Sequence, residues 1–303
     1  MAKNYVLGID IGGTSIKIGV VDEENVIESA SMRNVFKGKS ETLLPGIKEI
    51  CDVYLNKYNI NKIGIGCPGD IIDGVVKVAS NLGWKDYNIL QDFKNVYPEC
   101  EIVVENDGKT ACKAEKLYGA LANVKNGLFI TIGRGVGGDI IYNGQEVYGN
   151  YNNGGKIGHM VICKNGRRCN CGRRGCFETY ASVYGLIQTI KEINFHWKDE
   201  TQKIETEKLS GVQIVNYNKN GSVVAKSGIE RWNKDVSEGI LNLCMIFDPS
   251  VIVIAGGITE SGLLNLEIIK NILVKNGYDK CELTLAKFKG KSGLVGAASL
   301  VSK

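Results

Sequence analysis

Nowhere in these 303 residues does an uninterrupted apolar run approach the roughly eighteen that a membrane-spanning helix needs, so a membrane partner is not expected. The N-terminus, Met-Ala-Lys-Asn-Tyr-Val-Leu-Gly-Ile-Asp, lacks the apolar segment of a secretory signal, so export is not expected either. No dense basic run interleaved with aromatics occurs, and 37 basic against 33 acidic residues leave a net charge of +4. A nucleic-acid partner therefore has no electrostatic footprint. Proline is scarce, at 4, histidine scarcer, at 2, and there is no low-complexity linker. These absences leave a soluble protein, expected in the cytoplasm with mostly reduced thiols. With 44% hydrophobic residues the chain can bury a large core, and its length suits two domains of moderate size.

What is present in excess is cysteine at one place. Residues 169–178 read Cys-Asn-Cys-Gly-Arg-Arg-Gly-Cys-Phe-Glu, and His159 lies ten positions before the first thiol. Buried structural cysteines have no reason to cluster. Three thiolates and one imidazole, from Cys169, Cys171, Cys176 and His159, are the donor set of a closed tetrahedral zinc site. The intervening glycines let a short loop fold back so that the sulfurs converge. A redox-active or disulfide-bonded loop is the alternative, and it fits poorly with a chain that does not look secreted.

A second pattern is a strand, a glycine turn and another strand. Residues 5–9 form an apolar run ending at Asp10; Gly12-Gly13-Thr14 follow; then Ile16 to Val21 alternate. A strand follows the turn where a Walker loop would place a helix, and Gly-Lys-Ser/Thr is missing from it. The pattern restarts at Gly127–Ile132, passes through Gly133-Arg134-Gly135-Val136-Gly137-Gly138 and continues as a strand over 139–142. Such a duplication suggests two similar domains, two unrelated hairpins being the alternative. A third glycine turn, Gly256-Gly257, follows the buried strand 251–255. Helical spacing covers 41–58 and 109–118, a small-residue helix is expected over 293–301, and 198–222 should be loops or surface helices. Backbone N–H groups at such turns can cradle phosphate oxygens. Asp10 could hold Mg²⁺ through water. Asp107, at the end of the strand 102–104 and its Glu-Asn-Asp, could take a proton from a hydroxyl attacking a γ-phosphate, or cap the following helix.

Several segments together resemble the ROK family of sugar kinases and repressors, within the hexokinase/actin-like ATPase superfamily. They are Asp10-Ile-Gly-Gly-Thr14, Gly66-Cys-Pro-Gly69, Asn81-Leu-Gly-Trp84, Glu105-Asn-Asp107, Thr131 to Gly138, Gly158-His159, the cysteine run, Asp248-Pro249, Ala255-Gly-Gly257 and Gly296-Ala-Ala298. The resemblance implies a two-domain α/β fold of the actin-like ATPase (ribonuclease H-like) type, with mixed sheets and an interdomain cleft. It implies a small domain over 1–117 that regains the C-terminal helix 291–303, and a larger one over 118–290 carrying the cysteine loop. It implies ATP-dependent phosphorylation of a hexose, with Asp107 as catalytic base. Asn81, Asn106, His159 and Glu178 would meet the sugar. Asp10, Gly12, Gly13, Thr14, Lys17, Thr131, Gly133, Arg134, Gly135, Gly256 and Gly257 would serve ATP. Zinc on His159, Cys169, Cys171 and Cys176 would be structural, Mg²⁺ would accompany ATP, and a homodimer is implied. His159 would use one nitrogen for the metal and the other for the sugar.

The chain departs from the family pattern in one loop and one turn. Where the family has Glu-x-Gly-His, this chain has Lys156, which can only donate and carries the opposite charge. Arg134 replaces a usual Thr and Asp139 a usual Gly. Arg134 could clamp a phosphate or obstruct the turn. Three readings follow: a glucokinase-like hexose kinase, a kinase for an anionic or unusual sugar recognised by Lys156, and a non-catalytic sugar sensor. The family's repressors carry a DNA-binding domain before the sugar domain; with the first phosphate motif at residue 10, none is expected here.

Overall fold

The structure, a computed structural model, describes residues 4–151 and 154–301. Two compact units make up the chain. The first comprises Met1–Asn123, Val147–Gly154 and Ala286–Lys303, the second Val124–Glu146 and Gly155–Leu285.

The first unit contains β1 (Val6–Ile11), β2 (Ser15–Asp22), β3 (Asn25–Arg33), α1 (Leu43–Tyr58), β4 (Lys62–Cys67), β5 (Asp70–Ile72), β6 (Val75–Ala79), β7 (Trp84–Tyr87), α2 (Ile89–Val96), β8 (Glu101–Asn106) and α3 (Asp107–Tyr118). The second contains β9 (Gly127–Ile132), β10 (Val136–Tyr142), β11 (Gln145–Glu146), α4 (Glu178–Ala181), α5 (Val183–His196), α6 (Gly211–Lys219), α7 (Val223–Phe247), β12 (Val251–Ala255), α8 (Leu266–Lys275) and β13 (Glu282–Leu285). The chain returns to the first unit as α9 (Ser292–Ala298).

One topology serves both units. The first sheet runs β3-β2-β1-β4-β8, antiparallel through β1 and parallel beyond it. The second runs β11-β10-β9-β12-β13, again antiparallel and then parallel at the corresponding places. In each sheet the strand that opens the pattern is central. Its apolar run is therefore covered on both faces, as in β1, where only Asp10 is partly exposed. Edge strand β3 alternates exposed and half-buried residues, as a strand with one solvated face must. A small antiparallel sheet, β5-β6-β7, belongs to the first unit.

Helix ends follow from local chemistry. The stripe Leu43, Leu44, Ile47, Cys51, Tyr54 and Leu55 buries one face of α1, which stops at Asn59 in the left-handed region, φ 51°. The 25-residue α7 stops at Asp248, φ 42°, because Pro249 disfavours helix in the residue before it. Small residues bring α9 against β4 and α3. A Cβ on Gly64 would collide with the Ala297 carbonyl, and one on Gly296 with the Thr110 carbonyl. One expectation is corrected. The strand after the second glycine turn begins at Val136, three residues earlier than its pattern suggests, because Val136, Gly137 and Gly138 pair with Ile132, Thr131 and Ile130. The turn proper is Gly133-Arg134-Gly135, and Asp139 lies inside the sheet, fully buried.

Candidate active site and metal centre

In the first unit the β1–β2 turn is closed by Gly12 N–H donating to the Ser15 carbonyl at 2.8 Å. Asn34, buried just beyond β3, pins this turn. Its Nδ2 donates to the Gly12 carbonyl at 2.7 Å and its backbone N–H to the Thr14 carbonyl at 2.8 Å. Gly12, Gly13 and Thr14 are thus held as one short loop at the end of β1. Asp10 precedes it, 3.7 Å from Lys17 Nζ, and burial raises its carboxyl above the ordinary value while Lys17 opposes that shift. Lys17 also donates to the Gly290 carbonyl, and Gly293 at the start of α9 leaves no room for a Cβ beside the Asp10 carboxylate.

Asp107 is the first residue of α3. The helix cap is its neighbour: Asn106 Oδ1 accepts from Gly108 N–H at 2.9 Å and from Lys109 N–H at 3.2 Å, and its Nδ2 donates to the Gly69 carbonyl at 2.9 Å. Asn106 therefore ties Gly66-Cys-Pro-Gly69 to the base of α3, and the capping role weighed for Asp107 falls to it. The Asp107 carboxyl accepts from backbone N–H groups at the helix start, Gly108 N–H at 2.9 Å among them. Its carboxyl is pushed up to about 7, first by burial and then by the negative charge of Asp10. A carboxylate poised near neutrality suits a general base. Asn81 is exposed in the turn between β6 and β7.

In the second unit the glycine turn is closed by Gly133 N–H to the Gly135 carbonyl at 2.9 Å. Arg134 is exposed at its tip, and Thr131 lies on β9 opposite Gly137. Gly256, at φ 99°, lies so close to the Ile132 carbonyl that no other residue fits there. Gly257 lines a cavity of about 410 Å³ with Val183, Gly211, Val212 and Ile258.

His159, Cys169, Cys171 and Cys176 converge. Their ligand atoms all lie within 4.8 Å of one another, with Cys169 Sγ 3.7 Å from His159 Nδ1 and Cys171 Sγ 3.6 Å from Cys176 Sγ. Thiolates on a tetrahedral zinc, at about 2.3 Å from the metal, stand roughly 3.8 Å apart, so spacing and chemistry both fit. The loop is a small knuckle in which Gly172 and Gly175 take positive φ, 88° and 78°. It closes through Cys169 N–H to the Arg173 carbonyl, 2.9 Å, and Gly175 N–H to the Arg167 carbonyl, 2.8 Å. Lys156 is exposed, and its carbonyl accepts the His159 N–H at 3.0 Å in the short 3-10 turn Ile157–His159. Glu178 opens α4 and bonds back to the glycine turn: its Oε2 accepts Val136 N–H at 3.0 Å, while its Oε1 lies 3.8 Å from Cys169 Sγ.

The ROK family model matches residues 6–303. The chain belongs to the ROK family. It is 28% identical to a glucokinase of Halalkalibacterium halodurans over 319 residues, covering all of this chain and 96% of that one. It is 24% identical to the xylose repressor of Bacillus subtilis, covering 98% of this chain and 77% of the repressor. Among solved structures it is similar to a ROK family glucokinase from Streptomyces griseus in complex with glucose and AMPPNP, with a TM-score of 0.84, 26% identity and 98% of both chains covered. The mixed sheets of each unit are those of the actin-like ATPase fold that ROK proteins share. The ROK motifs marked the glycine turns and the cysteine loop; Asn34 and Arg167, which hold them, carry no periodic or spacing signal. No helix among the described residues is long and apolar enough to cross a membrane.

Proposed function

We propose that this ROK protein transfers the γ-phosphoryl group of ATP to a hydroxyl of a hexose. The observation that carries the reading is the state of Asp107: a half-buried carboxyl at the start of α3, raised to about 7 by desolvation and by the negative charge of Asp10. Asp107 accepts the proton of the attacking hydroxyl as that oxygen bonds to the γ-phosphorus. The bond to the β-phosphate oxygen breaks, and its electron pair leaves with ADP. Asn81, Asn106, His159 and Glu178 are assigned to the sugar. Gly12, Gly13, Thr14, Lys17, Thr131, Gly133, Arg134 and Gly135 are assigned to the phosphates. Gly256 and Gly257 are assigned to the adenosine end, which the apolar cavity beside Gly257 would suit.

Magnesium bound with ATP would neutralise phosphate charge, with Asp10 as its outer partner. Zinc, held by His159, Cys169, Cys171 and Cys176, would be structural, since four protein ligands leave no open position. Its contribution is to fix the His159 ring: Nδ1 faces the thiols, which leaves Nε2 for a sugar hydroxyl.

Lys156 favours a second substrate class. A cation where relatives of this family pattern carry Glu fits an anionic or unusual sugar better than a plain hexose. An ADP-release assay over neutral, amino and acidic sugars tests both. ADP release with a neutral hexose supports the first, and release confined to acidic sugars the second. Binding without ADP release across the panel contradicts a kinase.

A further inference from the structure

Four arginines stand in the cysteine loop, and three of them, Arg168, Arg173 and Arg174, are exposed. Arg167 differs: its side chain is 13% exposed and every face of it is occupied. Nε and Nη2 reach the Glu192 carboxylate at 3.0 and 2.9 Å. Nη1 donates to the carbonyls of Thr179 at 3.0 Å and Gly185 at 3.1 Å, and Nη2 to Thr189 Oγ1 at 2.9 Å. The guanidinium lies over the Tyr180 ring, 4.6 Å from its centroid, and the Arg167 N–H donates to the Tyr180 hydroxyl at 3.0 Å. A planar fork of five donors suits this task and an ammonium does not.

These acceptors run from α4 across its junction with α5 and along the first turns of α5. In a regular helix the Thr179 carbonyl would take the N–H of Val183. The Val183 N–H instead donates to the Gly133 carbonyl at 2.9 Å, and Arg167 supplies the donor that Thr179 lacks. Glu178, one residue before Thr179, bonds to Val136 on the far side of the same glycine turn. The junction is thus tied to the turn by two bonds and to the cysteine loop by the arginine.

We infer that Arg167 is a positioning residue that sets the Glu178 carboxylate for sugar binding by clamping the α4–α5 junction to the cysteine loop. The inference rests on the kinase reading for what Glu178 binds, and on the geometry alone for what Arg167 holds.

Arg167→Met and the milder Arg167→Lys, made in the full zinc-loaded chain, test it. With zinc retained at wild-type stoichiometry, sugar KM should rise ~10-fold or more in Arg167→Met, the scale on which small misplacements of binding groups act, and less in Arg167→Lys. Unchanged sugar KM with a lowered kcat would overturn the inference, because a merely structural role reduces the active fraction and leaves KM alone. Amide exchange at Val136 gives a readout free of catalysis. Faster exchange in both variants supports the clamp, and wild-type exchange in both overturns it. A wild-type protein that releases no ADP with any sugar sinks the kinase reading, while the Val136 amide still decides the role of Arg167.

Discussion

Glu178 Oε2 accepts the Val136 N–H at 3.0 Å, so the carboxylate assigned to the sugar is bonded to the backbone of the turn assigned to ATP. The same carboxylate fills the space beside Gly135 that a Cβ would need. Glu178→Gln keeps an acceptor for Val136 but loses the charge. Sugar KM should rise by ~10-fold or more, the value of a hydrogen bond to a charged group, with ATP KM unchanged. Glu178→Ala removes the acceptor as well, and ATP KM should rise too. Steady-state kinetics in both substrates separates the two variants.

Asp107 predicts a pH profile. As a base it acts deprotonated, so kcat/KM should fall as pH drops below about 7. Asp10→Asn removes the neighbouring negative charge, which raises the Asp107 carboxyl, and should move this limb to lower pH. Burial remains the larger cause, so the shift is partial.

The same group affects stability with a definite sign. Its folded value lies above the ordinary 3.8, so between 3.8 and about 7 the native state binds more protons than the unfolded chain. Its contribution to stability therefore falls as pH rises through that window. Asp107→Asn, which never charges, should melt higher than wild type at pH 8 in a thermal scan and show at least ~10²-fold lower turnover.

Metal removal should loosen the cysteine loop without unfolding the first unit. Protein purified without added metal should carry about one zinc per chain, as a closed four-ligand site requires. Stripping the zinc should raise sugar KM and expose the thiols to titration, with Cys171, already exposed, reacting first.

Gly296→Val tests the seat of α9. A side chain there meets the Thr110 carbonyl, and overpacking of this kind costs about 1–3 kcal/mol, so the melting temperature should fall. Gly257→Ala serves as a control, since no atom lies within 4 Å of a Cβ there.

The repeated topology was legible because each central strand ends in a glycine turn that interrupts an apolar run, a signal that survives in one dimension. The cysteine loop was legible because thiols rarely cluster, and all four of its donors converge. Val136 was read as turn because two glycines follow it, yet its pairing with Ile132 makes it strand; propensity cannot anticipate a partner strand. Asp139, which stands where the family pattern has Gly, pairs with Phe129 and lies buried in the sheet. Arg167 looked like one of four loop arginines. Only the fold brings Thr179, Gly185, Thr189 and Glu192 to it.

The most direct test of the account follows the phosphorus by ³¹P NMR, with ATP, Mg²⁺ and a sugar that supports ADP release. Wild-type protein should convert ATP to ADP and a sugar monophosphate in equal amounts, and Asp107→Asn, folded and zinc-loaded, should form neither. Sugar and ATP both bound by the wild type with no sugar phosphate formed, or sugar phosphate formed equally fast by Asp107→Asn, would contradict it.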